Sequence, residues 1–191
     1  MIAWLFALVG GAFAFPALSA EEEATLRADD VVLRPLPTKN GAIRVLAVVD
    51  IAAPASAVWT TLMDFEWRKV ANPAVQSIEP YRTATATEQW VRWHVSKFGA
   101  NVVYHNHYKM DRAAGKLIHE LDTTQENDMV ANRGVYEIAA SPIAGHTRLA
   151  WDVESNFGQA IPSFVQSWMS SSATRDFMAE LARRAEGLAS R

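Results

Sequence analysis

The hydrophobic pattern along the middle of the chain predicts a series of β-strands. Residues Ile43–Ile51 are rich in β-branched side chains and alternate weakly, which is typical of a strand. Six further strand-like segments follow towards the carboxyl end, and Gly, Pro, Asn and Asp separate most of them. The turn signals fall at Gly99, Gly115, Asn127-Asp128 and Pro142–Gly145. Regular spacing of this kind predicts an antiparallel meander, with seven strands in all.

Helical spacing interrupts this strand pattern once, directly after the first strand. Pro54 suits the first turn of a helix, and Val58, Leu62 and Phe65 recur at three- and four-residue steps. The pattern therefore predicts one helix here, followed by a second short helix that ends before Pro73.

A longer helical pattern occupies the carboxyl end. Pro162 suits its start and Gly187 a position just past its end. Its apolar positions are Phe164, Val165, Trp168, Met169, Ala173, Phe177, Leu181 and Ala185. Because a seven-stranded sheet needs its apolar face covered, this long amphipathic helix is the expected cover. The order strand, two helices, six strands, helix predicts an α+β fold.

The strands on either side of Gly99 separate into an apolar and a polar face. If Gly99-Ala100 form a two-residue turn, Trp93 lies opposite Asn106. The other pairs in this register are Val95–Tyr104 and Val91–Tyr108 on the apolar face, and His94–His105, Arg92–His107 and Trp90–Lys109 on the polar face. Both strands agree on which side is apolar, and a slip of one residue would destroy that agreement.

The next hairpin extends the apolar face. Pairing Met110 with Leu117 places Tyr108 near His119 and Asn106 near Leu121. The predicted inner face then carries Trp93, Tyr104, Asn106, Tyr108, His119, Tyr136 and Trp151.

This inner face has two interpretations. One is a packed core in which every tyrosine hydroxyl finds a partner. The other is a ligand cavity, because tyrosines, an asparagine and a histidine fill a tight core poorly. Buried polar groups need partners, and a ligand or ordered water can provide them. The residue pattern alone leaves both interpretations open.

The first twenty residues differ from the rest of the chain. They contain no charged side chain, break at Pro16, end in Ser19-Ala20, and are followed by three glutamates. This pattern predicts an export signal cleaved after residue 20, since the apolar run is short for a membrane span of about 20 residues. An uncleaved membrane anchor and a buried core helix are the alternatives. Residues 21–40 are predicted to form a polar linker or edge segment, and residues 41–191 the folded domain.

Composition and the absence of known motifs argue against several classes of function. The net charge of −3 offers no basic surface for nucleic acid, and the absence of cysteine excludes disulfides and thiolate metal sites. The chain also lacks a Gly-x-Ser-x-Gly elbow and a glycine-rich phosphate loop. His94, His105 and His107 could in principle bind Zn²⁺ on the polar face. Because no cysteine completes the site and three imidazoles alone are weak grounds for a metal, a solvated polar face is the favoured interpretation.

Residues 43–82 resemble the opening of the START-like superfamily. That superfamily includes steroidogenic-acute-regulatory lipid-transfer domains, polyketide cyclase/dehydratases, coenzyme Q-binding proteins and the birch-pollen-allergen type. The matching features are Ala53-Pro54, Val58-Trp59, Leu62, Asp64-Phe65 and Pro73. The segments TRLAWDVESNF and AIPSFVQSWM resemble the superfamily's last strand and proline-started helix. The resemblance covers about residues 41–188 and rests on structural motifs.

The resemblance implies a helix-grip fold, in which a curved antiparallel sheet of seven strands wraps around the long carboxyl-terminal helix. It also favours the cavity and implies that the chain holds a lipid, sterol, quinone or polyketide there. The loop between the short helices commonly borders the mouth in this fold, which brings in Trp67, and the long helix contributes Phe164 and Trp168. The predicted ligand-binding residues are Trp67, Trp93, Tyr104, Asn106, Tyr108, His119, Tyr136, Trp151, Phe164 and Trp168.

The leading hypothesis is therefore an exported binding or carrier domain, placed in the bacterial periplasm by its signal, with no catalytic residue, cofactor or metal assigned. Such a carrier would contact a membrane surface transiently. A cyclase or dehydratase that uses His119 with an inward tyrosine such as Tyr108 is the alternative. A module that binds another envelope protein is the third hypothesis. The sequence leaves the oligomeric state open.

Overall fold

The structure is a computed structural model that describes residues 16–39, 41–158 and 168–190. These residues form an α+β fold with one open antiparallel sheet of eight strands and a carboxyl-terminal helix. The helices are α1 (Ala20–Arg27), α2 (Ala55–Met63), α3 (Glu66–Ala71) and α4 (Thr174–Ala189), the last preceded by a π-helical segment, Met169–Ala173. The strands are β1 (Val32–Pro35), β2 (Ile43–Ile51), β3 (Val75–Pro80), β4 (Glu88–Lys97), β5 (Ala100–Asp111), β6 (Lys116–Leu121), β7 (Ala131–Ala140) and β8 (Thr147–Asn156).

The sheet has the order β1-β2-β8-β7-β6-β5-β4-β3. Strands β3 to β8 pair with their neighbours in sequence, so the predicted antiparallel meander is confirmed. The predicted number of seven strands is wrong for the described residues, because β1 adds an eighth at the edge beside β2. This strand has four residues and ends at Pro35, which makes its periodicity too short to stand out in the sequence.

The segment read as a linker or edge segment contains a helix before its edge strand. Ser19 and Glu22 form a capping box at the start of α1, in which each side chain accepts from the other residue's backbone N–H. Leu26 of α1 then packs on the outer face of the sheet, in a cluster with Val32, Leu46, Val48 and Ala150. The cluster explains the weak alternation of β2, since this strand is buried on both faces.

The register of the first long hairpin differs from the prediction. The turn is formed by Phe98 and Gly99, not by Gly99-Ala100, and Lys97 pairs with Ala100. Both turn residues have positive φ, 52° and 80°, as a type I′ turn requires. Each predicted partner is therefore shifted by two residues: Trp93 lies opposite Tyr104, and Val91 opposite Asn106. A shift of two keeps every side chain on its predicted face.

The second hairpin has the predicted register. Met110 pairs with Leu117, Tyr108 with His119, and Asn106 with Leu121. The alternation of β5 and β6 is thus confirmed in detail, and it continues across β7 and β8, where His119 pairs with Gly134 and Tyr136 with Trp151.

The main core lies between the inner face of the sheet and α4. Met178 and Leu181 of α4 are fully buried against Leu62 of α2 and against Val49 and Leu149 of the sheet. Gly187 lies inside α4, which ends at Ala189, so its predicted place just past the helix end is wrong. The predicted start at Pro162 and the apolar positions Phe164 and Val165 lie outside the described residues. No helix among the described residues is long and apolar enough to span a membrane.

Candidate functional site

A cavity of about 170 Å³ lies between the inner face of the sheet and the carboxyl-terminal helix. Its wall is mainly apolar and draws on the strands, on α3 and on the π-helical segment that leads into α4. The predicted ligand-binding residues that line it are Trp93, Tyr104, Asn106, Tyr108, His119, Tyr136, Trp151 and Trp168. The structure thus brings most of the predicted residues around one cavity, and their contact with a ligand stays a prediction.

Two of the predicted residues are not among the described residues that line the cavity. Trp67 is buried within α3, not in a loop, and does not line the cavity. Its ring stacks on Phe177 at 5.5 Å between centroids, and its Nε1 donates a hydrogen bond to the carbonyl oxygen of Thr61. Trp67 therefore supports the cavity wall from behind. Phe164 lies outside the described residues.

Aromatic pairs across neighbouring strands form two walls of the cavity. Trp93 and Tyr104 are stacked nearly parallel, with 6.0 Å between ring centroids. Tyr136 and Trp151 are stacked at 5.0 Å with an interplanar angle of 7°. Both pairs are directly opposed in the sheet, because cross-strand neighbours on one face are close enough for their rings to meet. Flat apolar walls of this kind suit a planar or chain-like apolar ligand.

A chain of polar groups crosses the inner face on one side of these walls. Asn106 donates from Nδ2 to the hydroxyl of Tyr108, and its Oδ1 accepts from Nδ2 of Asn132. Oδ1 of Asn132 in turn accepts from the hydroxyl of Ser155. These side chains therefore satisfy one another, which holds the amides in place without any ligand.

His119 is neutral and buried on the cavity wall. Nε1 of Trp151, which can only donate, lies 3.2 Å from Nε2 of His119, so Nε2 accepts and the proton of the neutral ring is on Nδ1. Nδ1 itself is buried with no hydrogen-bond partner. Burial, reinforced by the nearby positive charge of Arg68, lowers the pKa of His119 to about 3. At neutral pH the imidazole is therefore uncharged, and its Nδ1 is available as a hydrogen-bond donor.

Arg68 is a cavity residue that the sequence did not reveal. It lies in α3 with a relative exposure of 4%, and its guanidinium packs 4.5 Å from the ring centroid of Phe65 and 5.2 Å from that of Phe177. Nη2 donates to the carbonyl oxygen of Leu62, whereas Nε has no partner. The only sequence signal for it is the three-residue step from Phe65, which places Arg68 near the apolar face of the helical segment.

The inward tyrosines are held in their neutral form. Burial raises the pKa of Tyr104, Tyr108 and Tyr136 above the ordinary phenol value, and the charge of Arg68 opposes that rise in each case. A phenol of this kind donates or accepts hydrogen bonds but does not ionise near neutral pH. These hydroxyls can orient a ligand more readily than they can act as bases.

The histidines of the opposite face do not come together as a metal site. In the observed register His94 lies opposite Val103, while His105 and His107 face Arg92 and Trp90. The ring of His107 is stacked on Trp90 at 4.5 Å. Among the described residues, no group of three or more His, Asp or Glu side chains could hold a metal ion.

Comparison with known protein families shows which family this chain matches. A family model described as polyketide cyclase / dehydrase and lipid transport matches residues 42–186, most of the chain. The chain belongs to this family. It is a member of the START-like superfamily, as the resemblance of residues 43–82 implied. No curated protein sequence matches the chain.

Several solved structures share the fold of this family member. A protein from Thermus thermophilus is 20% identical, with a TM-score of 0.62, and the match covers 76% of this chain and 98% of that one. The ZhuI aromatase/cyclase from a Streptomyces species is 20% identical, with a TM-score of 0.58 and coverage of 78% and 94%. A STAR-related lipid transfer protein from Xanthomonas axonopodis is 16% identical, with a TM-score of 0.60 and coverage of 80% and 98%. At these identities the likeness establishes the fold alone.

Proposed function

We propose that this family member is a binding or carrier domain for a hydrophobic small molecule held between the sheet and the carboxyl-terminal helix. The observation that carries the proposal is the interior cavity of about 170 Å³, walled by stacked aromatic pairs. Structural neighbours named as a lipid transfer protein and as an aromatase/cyclase support a hydrophobic ligand without deciding its identity.

The size of the cavity limits the ligand. It is slightly larger than the engineered cavity of about 150 Å³ that binds benzene, so one or two rings or a short alkyl chain suit it as it stands. Burying about 200 Å² of apolar ligand surface would contribute about 5 kcal/mol. A sterol or a long polyketide would require the helix to move away from the sheet.

The first test is binding of the neutral fluorescent probe 1-aminonaphthalene, which has two fused rings, to the purified full chain. We expect saturable binding with a Kd in the micromolar range. The variant Ala173→Trp puts an indole into the cavity from its helix-side wall and should weaken binding at least tenfold. The matched variant Ala179→Trp adds the same group at an exposed position of α4 and should bind like the wild type.

Two outcomes would contradict the proposal. One is no saturable binding by the wild type across neutral apolar probes. The other is unchanged affinity in Ala173→Trp while circular dichroism shows that both variants are folded, since the probe would then occupy some other surface.

The cyclase or dehydratase alternative has weaker support. It needs His119 to exchange a proton with the bound molecule beside Tyr108. With a pKa of about 3 the imidazole is a weak base, and at neutral pH it lacks the second proton that would make it a general acid. The hydroxyl of Tyr108 is buried and its pKa is raised. The pair is therefore better suited to holding a ligand than to transforming it.

We propose in addition that the chain is exported, with its first twenty residues as the signal. Ser19 caps α1 and Leu18 packs against the outer cluster, so cleavage after Ala20 would remove both contacts. We expect the exported protein to have the mass of residues 21–191, and to be about 1 kcal/mol less stable than a chain that retains Ser19. Intact mass spectrometry of periplasmic and membrane fractions measures this directly. Full-length protein confined to the cytoplasmic fraction would rule export out.

A further inference from the structure

The geometry points to a ligand that carries a carboxylate, bound through that group to Arg68 inside the cavity. This inference rests on the proposed binding function and specifies which class of apolar molecule the cavity takes. Three observations support it: a buried cation without an acidic partner, a set of buried donors without acceptors, and a cavity with room for a small head group.

Arg68 is a buried cation that pairs with no aspartate or glutamate. A guanidinium stays protonated inside proteins, and its burial without an anion is costly. Every aspartate and glutamate of the chain lies within the described residues, and none of them forms an ion pair with Arg68. The buried arginine on the other face of the sheet contrasts with it, since Arg148 is paired with Asp50 and Glu23. Contacts with aromatic rings offset only part of the cost for Arg68.

The unpartnered polar atoms of the cavity wall are all hydrogen-bond donors. Among the described lining residues they are Nε of Arg68 and Nδ1 of His119. The tautomer of His119 makes its Nδ1 a donor, and Nε of Arg68 can only donate. Because buried donors are normally satisfied, a ligand that binds beside them is expected to be rich in acceptors. A carboxylate offers two oxygens with about four acceptor positions and no donor.

Charge and size favour a monocarboxylate over a larger anion. Arg68 is the single charged side chain among the described residues that line the cavity, so one negative charge balances it. A guanidinium also matches a carboxylate geometrically, with two parallel N–H donors. A volume of about 170 Å³ leaves room for such a head with a ring or a short chain against the aromatic walls.

The experiment compares an acid with its uncharged ester. Octanoate and methyl octanoate are titrated into the purified full chain by calorimetry and by displacement of 1-aminonaphthalene. We expect the wild type to bind octanoate at least tenfold more tightly than methyl octanoate. The variant Arg68→Met, similar in length but uncharged, should weaken octanoate binding at least tenfold and change the Kd of the ester less than threefold. Arg133→Met, whose arginine is exposed and paired with Glu154, is the matched control and should keep the acid preference.

The outcomes separate this inference from the proposed function. If the probe and the ester bind but the wild type shows no preference for octanoate, the carboxylate inference fails and the binding function stands. The same holds if Arg68→Met keeps the preference. If neither octanoate, the ester nor the probe binds, the proposed function itself fails. The ratio of the two affinities in the wild type decides the matter even if Arg68→Met does not fold.

Discussion

Replacing Arg148 by methionine is expected to lower the free energy of unfolding by about 3–5 kcal/mol. Nε and Nη2 of Arg148 donate to the two carboxylate oxygens of Asp50 at 2.7 Å, and the same guanidinium binds Glu23 of α1. The side chain of Asp50 is only 1% exposed. Methionine would leave this carboxylate buried without a partner and remove one of the contacts that hold α1 on the sheet.

Two matched variants make this result specific. Arg133→Met removes an exposed arginine whose side chain is 69% accessible, and should cost about 0–1 kcal/mol. The double variant Asp50→Leu with Arg148→Met removes both buried charges and should recover most of the loss, because uncompensated charge is the main cost. Urea unfolding followed by circular dichroism gives the three values. A loss below 1 kcal/mol in Arg148→Met would contradict the burial of this ion pair.

Replacing Gly134 by alanine is expected to destabilise the protein by about 1–3 kcal/mol, the usual cost of overpacking a core. A Cβ at this position would lie 2.5 Å from Nε2 of His119 and 2.7 Å from the backbone oxygen of Asp152. The second contact is with backbone in the neighbouring strand, which cannot rotate away. The displaced imidazole would also lose its hydrogen bond from Trp151, which should weaken probe binding in the cavity.

The same substitution elsewhere should have the opposite effect. Gly187 lies inside α4, and an added Cβ would have nothing within 4 Å. Gly187→Ala should therefore stabilise the protein by about 0.5–1 kcal/mol through helix propensity. Thermal unfolding of the two variants compares them under one condition. Equal melting temperatures for Gly134→Ala and the wild type would show that the inner face has room beside His119.

Strand periodicity was the most reliable guide to the candidate site. Side chains alternate across a sheet with a period of two, so the sequences of β5 and β6 predict which of their residues face inward. The register around Gly99 was harder, because the choice of turn residues depends on φ values that a sequence does not display. Phe98 adopts a positive φ, which is uncommon for a bulky residue. Even so, the error of two residues left every inner side chain on its face.

Features that depend on contacts between distant segments were not predictable in this way. Arg68 sits in a six-residue helix, too short for periodicity to say which side is buried. The four-residue strand β1 and the eight-residue polar helix α1 give weak patterns, so the sequence predicts only a linker or edge segment there, although the capping box at Ser19 is present in it.

The sequence by itself determined the fold class, the antiparallel order of six strands and the residues that face inward, because these follow from local periodicity and turn chemistry. Only the tertiary structure decided that the inner face encloses a cavity instead of a closed core, since that depends on how closely the carboxyl-terminal helix approaches the sheet. The tertiary structure also decided that Arg68 lines this cavity without an acidic partner. Residues distant in the chain determine whether an arginine is buried and whether an acidic side chain lies beside it. Local sequence patterns contain no information about such long-range contacts.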